Sequence, residues 1–338
     1  MSDNKIIYYA IGVYKGGGLT ILKNFIKHKQ NSFFYLDSRL NPIHYKNIKN
    51  YKLIRPNILN LLFTQYYLSK KENSFFFING IPPIFNFRKK IYVLFQNSNI
   101  IPNFNFSYII KWLFSKDFLR FLIFFFSKNK VDSWVVVSEV AHKILQKYVK
   151  IYIPIVKLFI YSFDIKKNYS KKIYDFIYPA DYKKHKNHKY LILAFLKLAK
   201  KGIKPSILLT LTDDELIKIG FKNLEGKINI YNFCDYNNQK KFLRIMRQTK
   251  CLLYPSINET LALPIIEAYK NKLDIICSNL FYAKQFITPN YTFNPYSVTS
   301  ISNAIKKYYF SKKKNKSINH FVSEYFLSKK MFFNNFLK

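Results

Sequence analysis

Short apolar runs of strand length recur along this chain with helix-length segments between them, and the series runs twice. The first comprises Ile6 to Ile11, Phe33 to Leu36, Ser74 to Ile78, Ile91 to Phe95 and Trp134 to Val137. The second comprises Ile173 to Tyr178, Ser206 to Leu211, Lys227 to Tyr231, Cys251 to Tyr254 and Asp274 to Cys277. Apolar strands alternating with helices imply a parallel sheet covered on both faces. Helical spacing fits several of the gaps: Leu19, Leu22, Phe25 and Ile26; Leu191, Ala194, Phe195 and Leu198; Gln239 to Arg247; and Ile265 to Lys270. The pattern predicts two doubly wound α/β domains, residues 1–165 and 166–317, joined near Asp164 to Ser170. A final helix over 318–338, with Phe321, Tyr325 and Phe326 at helical spacing, is expected to return to the first domain. Such sheets bind ligands beyond the C-terminal strand ends, so two domains facing across a cleft would place function in those loops.

The 338 residues suit two domains, and 49% hydrophobic with 19% aromatic residues is too apolar for a disordered chain. Lys and Arg number 56 against 18 Asp and Glu, a formal net charge of +38, which raises nucleic acid or an anionic membrane as partners. However, Lys, Asn, Ile, Phe and Tyr are abundant together even within strand-like segments, as A/T-rich coding would produce. The basic residues are scattered apart from Lys312, Lys313, Lys314 and Lys316, so no specific nucleic-acid site is expected. Cys234, Cys251 and Cys277 lack metal-site spacing and read as reduced core residues. Met1 to Lys5 shows no signal-peptide pattern, so a cytoplasmic location is expected. The stretch Phe106 to Phe126 is interrupted by Lys111, Lys116, Asp117 and Arg120 and cannot span a bilayer. With Phe118, Leu119, Leu122, Phe125 and Phe126 at helical spacing, it reads either as a helix lying on a membrane or as a buried helix of the first domain.

The stretch from Tyr254 to Ser278, YPSINETLALPIIEAYKNKLDIICS, is the most informative. A strand ends at Tyr254, a loop carries Glu259, Pro264 opens a helix where a missing N–H costs nothing, and Glu267 lies in that helix's first turn. Free N–H groups at a helix start, with the helix dipole, favour an anion such as a diphosphate. The two carboxylates flank that position and could accept hydrogen bonds from sugar hydroxyls.

Glu259, Thr260, Leu261, Ala262, Leu263, Pro264, Ile265, Ile266 and Glu267 resemble the E-G-F-G-L-P-x-x-E signature of the retaining GT-B glycosyltransferases of family 4. The glutamate spacing is kept, while Thr260 and Ala262 replace two glycines. The resemblance implies that Glu259 contacts the donor sugar, Glu267 holds the nucleotide ribose, and the Ala262 and Leu263 amides meet the diphosphate. The loop Tyr178 to His188, YPADYKKHKNH, is similar to the family's phosphate-binding loop, which implies that Lys186 meets the donor phosphate. Pro179, Ala180 and Asp181 stand where the family often has a G-R motif, so an arginine is missing. His185 and His188 read as solvated loop histidines. Gly16, Gly17 and Gly18 resemble the family's N-terminal loop, with Gly17 and Gly18 allowing close backbone approach. Dinucleotide binding is the rival there, but the G-x-G-x-x-G spacing is absent, and Asp37 is the only acidic candidate at the next strand. Asn79 to Pro83, Phe95 to Asn97 and Val131 to Glu139 are similar to segments of surface-polysaccharide enzymes. Asn97 is a candidate to touch the sugar, and Ser138 stands at a strand end; plain structural roles are equally open to both.

The resemblance implies a hexosyltransferase-type enzyme of surface-polysaccharide or lipopolysaccharide synthesis. It would move a sugar from a nucleoside diphosphate sugar to a glycan or lipid-linked acceptor with retention of configuration. No cofactor or metal is expected, and a peripheral position at the inner face of the membrane would suit such an acceptor. The alternatives are a non-catalytic relative that binds glycan or a partner protein, suggested by the altered glycines and missing arginine, and a basic nucleic-acid-binding protein, suggested by charge alone.

Overall fold

The computed structural model describes residues 6–96, 100–101, 116–159, 171–234, 239–311, 318–319, 327–328 and 332. The chain divides into two compact units, one of Met1–Tyr161 with Val322–Lys338 and one of Ser162–Phe321. The join read at Asp164 to Ser170, the Lys312 to Lys316 run and most of the expected final helix lie outside the described residues. Described positions beyond Ile318 include two short strands and Phe332.

The first unit is a parallel sheet. Its elements are β1 (Ile7–Ala10), α1 (Gly16–His28), β2 (Phe34–Asp37), β3 (Tyr51–Ile54), α2 (Ile58–Ser69), β4 (Phe75–Phe77), β5 (Ile91–Phe95), α3 (Lys116–Ser127), β6 (Ser133–Val136), α4 (Glu139–Gln146) and β7 (Ile155–Phe159). The strand order is β7-β6-β5-β4-β1-β2-β3, extended beyond β7 by a two-residue strand at Leu327–Ser328. In register, Tyr9 lies between Tyr35 and Phe77. Every residue of β1, β2, β4, β5 and β6 is buried, as expected of strands covered on both faces. Aromatic rings fill the core: Tyr8 stacks on Phe34 at 4.8 Å, Tyr9 meets Phe77 at 4.7 Å, and Phe332 packs edge-on against Phe25. Of the aromatic stretch that begins at Phe106, residues 106–115 lie outside the described residues. In α3, Phe124 is buried against Phe95 and Trp134 whereas Leu119, Phe125 and Phe126 are exposed, so this helix is half core and half surface.

The second unit repeats the architecture with β8 (Tyr174–Tyr178), α5 (His188–Ala199), β9 (Ser206–Leu209), α6 (Asp213–Ile219), β10 (Asn229–Asn232), α7 (Gln239–Arg247), β11 (Thr249–Tyr254), α8 (Leu263–Lys270), β12 (Asp274–Ser278), α9 (Phe281–Lys284), β13 (Ile287–Thr288), β14 (Tyr291–Phe293) and α10 (Val298–Phe310). Its parallel strands run β10-β9-β8-β11-β12-β14, and α5 packs against α10. A short antiparallel pair joins β13 to Ile318–Asn319. Cys251 and Cys277 are buried strand residues, but Cys234 is exposed beyond β10, a correction to the expectation of three core cysteines. Both units are thus doubly wound, Rossmann-like α/β domains.

Candidate active site

Three loops of the second unit, following β8, β11 and β12, are knitted together by side chains that project from buried positions. Tyr178 donates its hydroxyl hydrogen to the Lys186 carbonyl at 2.5 Å, and the Ile257 N–H donates to the His185 carbonyl at 2.8 Å. Asn187, held at a left-handed φ of 62°, donates to the carbonyls of Pro255 and Pro295 at 3.1 and 2.8 Å. From the other side, Ser278 and Tyr282 hydroxyls both donate to the Ser256 carbonyl, at 2.7 and 2.5 Å. A loop whose carbonyls are satisfied by fixed side chains is preorganised and needs little rearrangement to receive a ligand.

Glu259 sits on that platform. Its Oε1 accepts three hydrogen bonds, from Lys186 Nζ at 2.5 Å, Ser256 Oγ at 2.8 Å and the Tyr254 hydroxyl at 3.0 Å. Among the described residues none donates to Oε2, which leaves one carboxylate oxygen for an external hydroxyl. Lys186 uses one of its three N–H donors on Glu259 and has no other side-chain partner among the described residues. The lysine and the first glutamate expected from sequence are therefore brought together.

Ala262 precedes α8 in the left-handed region, with φ 53° and ψ 56°. The loop needs this conformation to turn from Glu259 into the helix, and glycine would adopt it without the Cβ crowding that alanine incurs. No side chain caps α8, Pro264 occupies its second position, and its first turn holds no acid. Pro264 has no N–H and the Ile265 N–H is given to the Ala262 carbonyl at 3.0 Å, so the amides this helix start offers to an anion are those of Ala262 and Leu263. Glu267 is the fifth residue of the helix, just past the first turn in which the sequence placed it. Its carboxylate has no hydrogen-bond or ion-pair partner among the described residues, and burial pushes its pKa up to about 7 against a smaller opposing pull from Lys270. A desolvated carboxylate without a donor gains most from a ligand that brings hydroxyl groups.

The remaining candidates separate. His185 is half-buried, its pKa lowered first by burial. His188 is not a solvated loop residue: it opens α5, is buried between the rings of Tyr178 (4.8 Å) and Tyr182 (5.6 Å), and neither ring nitrogen reaches a hydrogen-bond partner. Burial pulls its pKa to about 4, against a weaker pull from the nearby Ala180 backbone. In the first unit, Gly16, Gly17 and Gly18 start α1 as expected, and a Cβ on Gly18 would lie 3.1 Å from Gln96 Nε2. Asp37 is wholly committed: it accepts from the Gly12 N–H, the Arg39 N–H and both Nε and Nη2 of Arg39, all at 2.8 to 2.9 Å. No oxygen is left for a dinucleotide ribose, which removes that rival. Ser138 is fully buried and caps α4 by accepting the Ala141 N–H at 3.1 Å, which accounts for it structurally. Asn97 lies outside the described residues; its neighbour Gln96 donates to the Ile78 carbonyl. Tyr178, Asn187, Tyr254, Ser256 and Tyr282 are site residues that sequence reasoning did not single out; all but Tyr282 stood inside the two quoted segments, where polar tips at the strand ends Tyr178 and Tyr254 were the available signal. Among the described residues no group of three His, Cys, Asp or Glu could hold a metal ion.

Residues 162–322, just under half of the chain and essentially all of the second unit, match the family described as glycosyl transferases group 1. No curated protein matches the sequence. Among solved structures, the chain is similar to sucrose-phosphate synthase from Thermosynechococcus elongatus, with 12% identity and a TM-score of 0.63 over 90% of this chain and 89% of that one. It is similar also to WaaG, a glycosyltransferase involved in lipopolysaccharide biosynthesis, with 11% identity and a TM-score of 0.60 over 89% and 90%. TarM matches at 17% identity and a TM-score of 0.56 over 73% of this chain, which spans about half of TarM's length (51%). The chain therefore has the GT-B fold, two Rossmann-like domains, and its second domain matches the glycosyl transferases group 1.

Proposed function

We propose that this protein is a glycosyltransferase that moves a sugar from a nucleoside diphosphate sugar to a hydroxyl of a glycan or lipid-linked acceptor, with retention of configuration. The observation that carries this is the placement of Glu259 and Glu267 on either side of an uncapped helix start. An anionic diphosphate would take the α8 N–H groups near Ala262 and Leu263, with Lys186 as a cation beside it. Glu267 would accept the ribose hydroxyls and Glu259 Oε2 a sugar hydroxyl. In transfer, the bond from the anomeric carbon to the diphosphate breaks, the acceptor oxygen bonds that carbon, and the acceptor proton passes to a phosphate oxygen of the leaving group. Lys186 and the helix amides would stabilise the charge that develops there. Gly17 and Gly18 would let the first domain's backbone approach donor or acceptor.

An S. aureus TarM variant was solved with UDP and alpha-GlcNAc-glycerol, and the pneumococcal O-GlcNAc transferase GtfA with UDP and GlcNAc, so UDP is the nucleotide to try first. No helix among the described residues is long and apolar enough to cross a membrane. A role in surface polysaccharide synthesis at the inner face of the membrane would bring the site to an acceptor anchored in lipid. The test is a thermal-shift series with UDP, GDP, ADP and their sugars, followed by donor hydrolysis and transfer assays. A specific rise in stability with one nucleotide, and turnover of its sugar, is expected. Binding without turnover would identify a non-catalytic relative, and no binding by any nucleotide would overturn the proposal.

A further inference from the structure

The helix α2 is turned the wrong way for one that only covers a sheet. Of its twelve residues it buries Gln65, Leu68 and Ser69, and Gln65 is spent accepting the Ile84 N–H at 3.0 Å. Meanwhile Ile58, Leu59, Phe63, Tyr66 and Tyr67 are 53 to 70% exposed. Leu59, Phe63 and Tyr66 recur at helical spacing and form one outward apolar face. Isolated exposed apolar residues are ordinary, but a contiguous set on a helix with few large apolar residues inside marks a docking surface.

The charge around this face indicates what covers it. From Ser38 to Lys71 the sequence holds seven Lys or Arg residues and no Asp or Glu, and of these Arg39 is paired with Asp37. At the end of the helix the Lys70 and Lys71 ammonium groups lie 5.1 and 4.8 Å from the ring centres of Tyr66 and Tyr67. Aliphatic anchors, tyrosines with polar tips and lysines whose stems lie along the apolar face are the side chains that suit a lipid headgroup boundary. A second copy would bring like charge against like. We propose that α2 lies on an anionic lipid bilayer, its apolar side chains entering the headgroup region while the flanking cations meet acidic headgroups. The parallel strands place the start of α2, Ile58 and Leu59, at the same end of the sheet as the glycine loop after β1. Docking there would hold that ligand-binding edge beside the membrane. The inference deepens the proposed lipid-linked acceptor, but its evidence is independent of transfer chemistry.

The test is co-sedimentation of the full chain with vesicles of phosphatidylcholine alone and with 30% phosphatidylglycerol at low salt. Binding is expected only to the anionic vesicles, weakened by salt, and reduced roughly tenfold or more by Leu59→Ser with Phe63→Ser. The α3 pair Phe125→Ser with Phe126→Ser should change it little. No binding to anionic vesicles would overturn the proposal, as would loss of binding with the α3 pair alone, or binding to an acidic polypeptide but not to vesicles. A second measurement covers misfolding of the α2 variant: Phe63→Cys, in a Cys234→Ser background, carrying an environment-sensitive fluorophore. Its emission should shift to the blue on adding anionic vesicles, and an unchanged spectrum overturns the proposal. UDP affinity measured alongside separates a failure of docking from a failure of the transferase proposal, since α2 carries no donor-binding residue.

Discussion

Lys186 Nζ lies 2.5 Å from Glu259 Oε1, although 73 residues separate the two in the chain, and each side chain is only 14% exposed. So short a contact between largely desolvated charges needs both partners, because removing one strands the other. Lys186→Met and Glu259→Gln should each destabilise the protein by about 1 to 3 kcal/mol, the pair by less than their sum. Denaturant titration of a double-mutant cycle measures the coupling, and strict additivity would show that the contact contributes nothing. Kinetically, Glu259→Gln should lower turnover by about a hundredfold or more while leaving bare nucleotide affinity within a few-fold. Wild-type transfer rates in that variant would remove Glu259 from the chemistry.

The half-buried carboxyl of Glu267 and the buried imidazole of His188 both lack hydrogen-bond partners among the described residues, and their effects on stability run in opposite directions with pH. Glu267 is raised to about 7 in the folded protein, so the folded state holds a proton that the unfolded chain releases from about pH 4.5 upward. Its contribution is fully present in acid and is lost as pH rises through about 7. His188 is depressed to about 4, so the unfolded chain takes up a proton first as pH falls below about 6.5. Its contribution is present above that value and declines down to about pH 4. Each amounts to about 1 to 3 kcal/mol, so between pH 4 and 7 the two largely cancel. Glu267→Gln should unmask a loss of stability in acid, and His188→Phe a loss toward neutral pH. Melting temperatures from pH 4 to 8 check both, and identical profiles for all three proteins would contradict the assignment.

The same carboxyl links pH to ligand binding. Ribose hydroxyls donate best to an ionised carboxylate, so nucleotide affinity should rise as pH increases through about 7 and then level off. Glu267→Ala should weaken binding by about 1 to 3 kcal/mol, and Glu267→Gln should flatten the pH profile. Calorimetric titration with the nucleotide found by thermal shift gives both numbers. Unchanged affinity in the alanine variant would refute the ribose role.

How much of this was legible in sequence follows from how each feature is built. Strands such as Ile91–Phe95 announce themselves because burial on both faces demands an unbroken apolar run. The edge strand Tyr51–Ile54 is exposed on both faces except at Ile54 and offers only YKLI, so it passes unnoticed. Glu259 and Glu267 were readable because strand end, loop and helix start occupy one short segment. The hydrogen-bonded platform beneath them was not, since Asn187 finds its acceptors 68 and 108 residues away and no local pattern encodes that distance. His188 misled for a related reason: it stands in a run of polar residues, but the left-handed turn at Asn187 starts α5 there and carries the ring under Tyr178.

The proposed site predicts transfer that needs no metal. An uncapped helix start and Lys186 face the place proposed for the diphosphate, and among the described residues no carboxylate or histidine cluster stands ready to hold a divalent ion. Transfer should therefore continue at an unchanged initial rate after dialysis against EDTA. Activity abolished by the chelator and restored by manganese would show that the diphosphate is neutralised by a bound ion instead.

Ala262 provides the last test, because it fills a strained position in the middle of the turn proposed to bind the diphosphate. At φ 53° its Cβ crowds the following carbonyl, a cost of about 1 to 2 kcal/mol that glycine does not incur. Glycine in turn loses more backbone freedom on folding, which offsets about 0.5 to 1 kcal/mol of the gain. Ala262→Gly should therefore stabilise the second domain by up to about 1 kcal/mol, a rare case in which glycine strengthens a fold. The methyl group is itself buried, so relief of backbone strain must also outweigh the loss of its packing. Binding should respond separately: a less crowded amide at the start of α8 can approach a diphosphate more closely, and nucleotide affinity should rise or hold. Urea midpoints and nucleotide titrations of this one variant read the two effects independently. A loss of stability beyond about 1 kcal/mol would mean that the turn does not bear the strain assigned to it, and abolished binding in a better-folded variant would overturn the expectation that a freer turn serves the diphosphate.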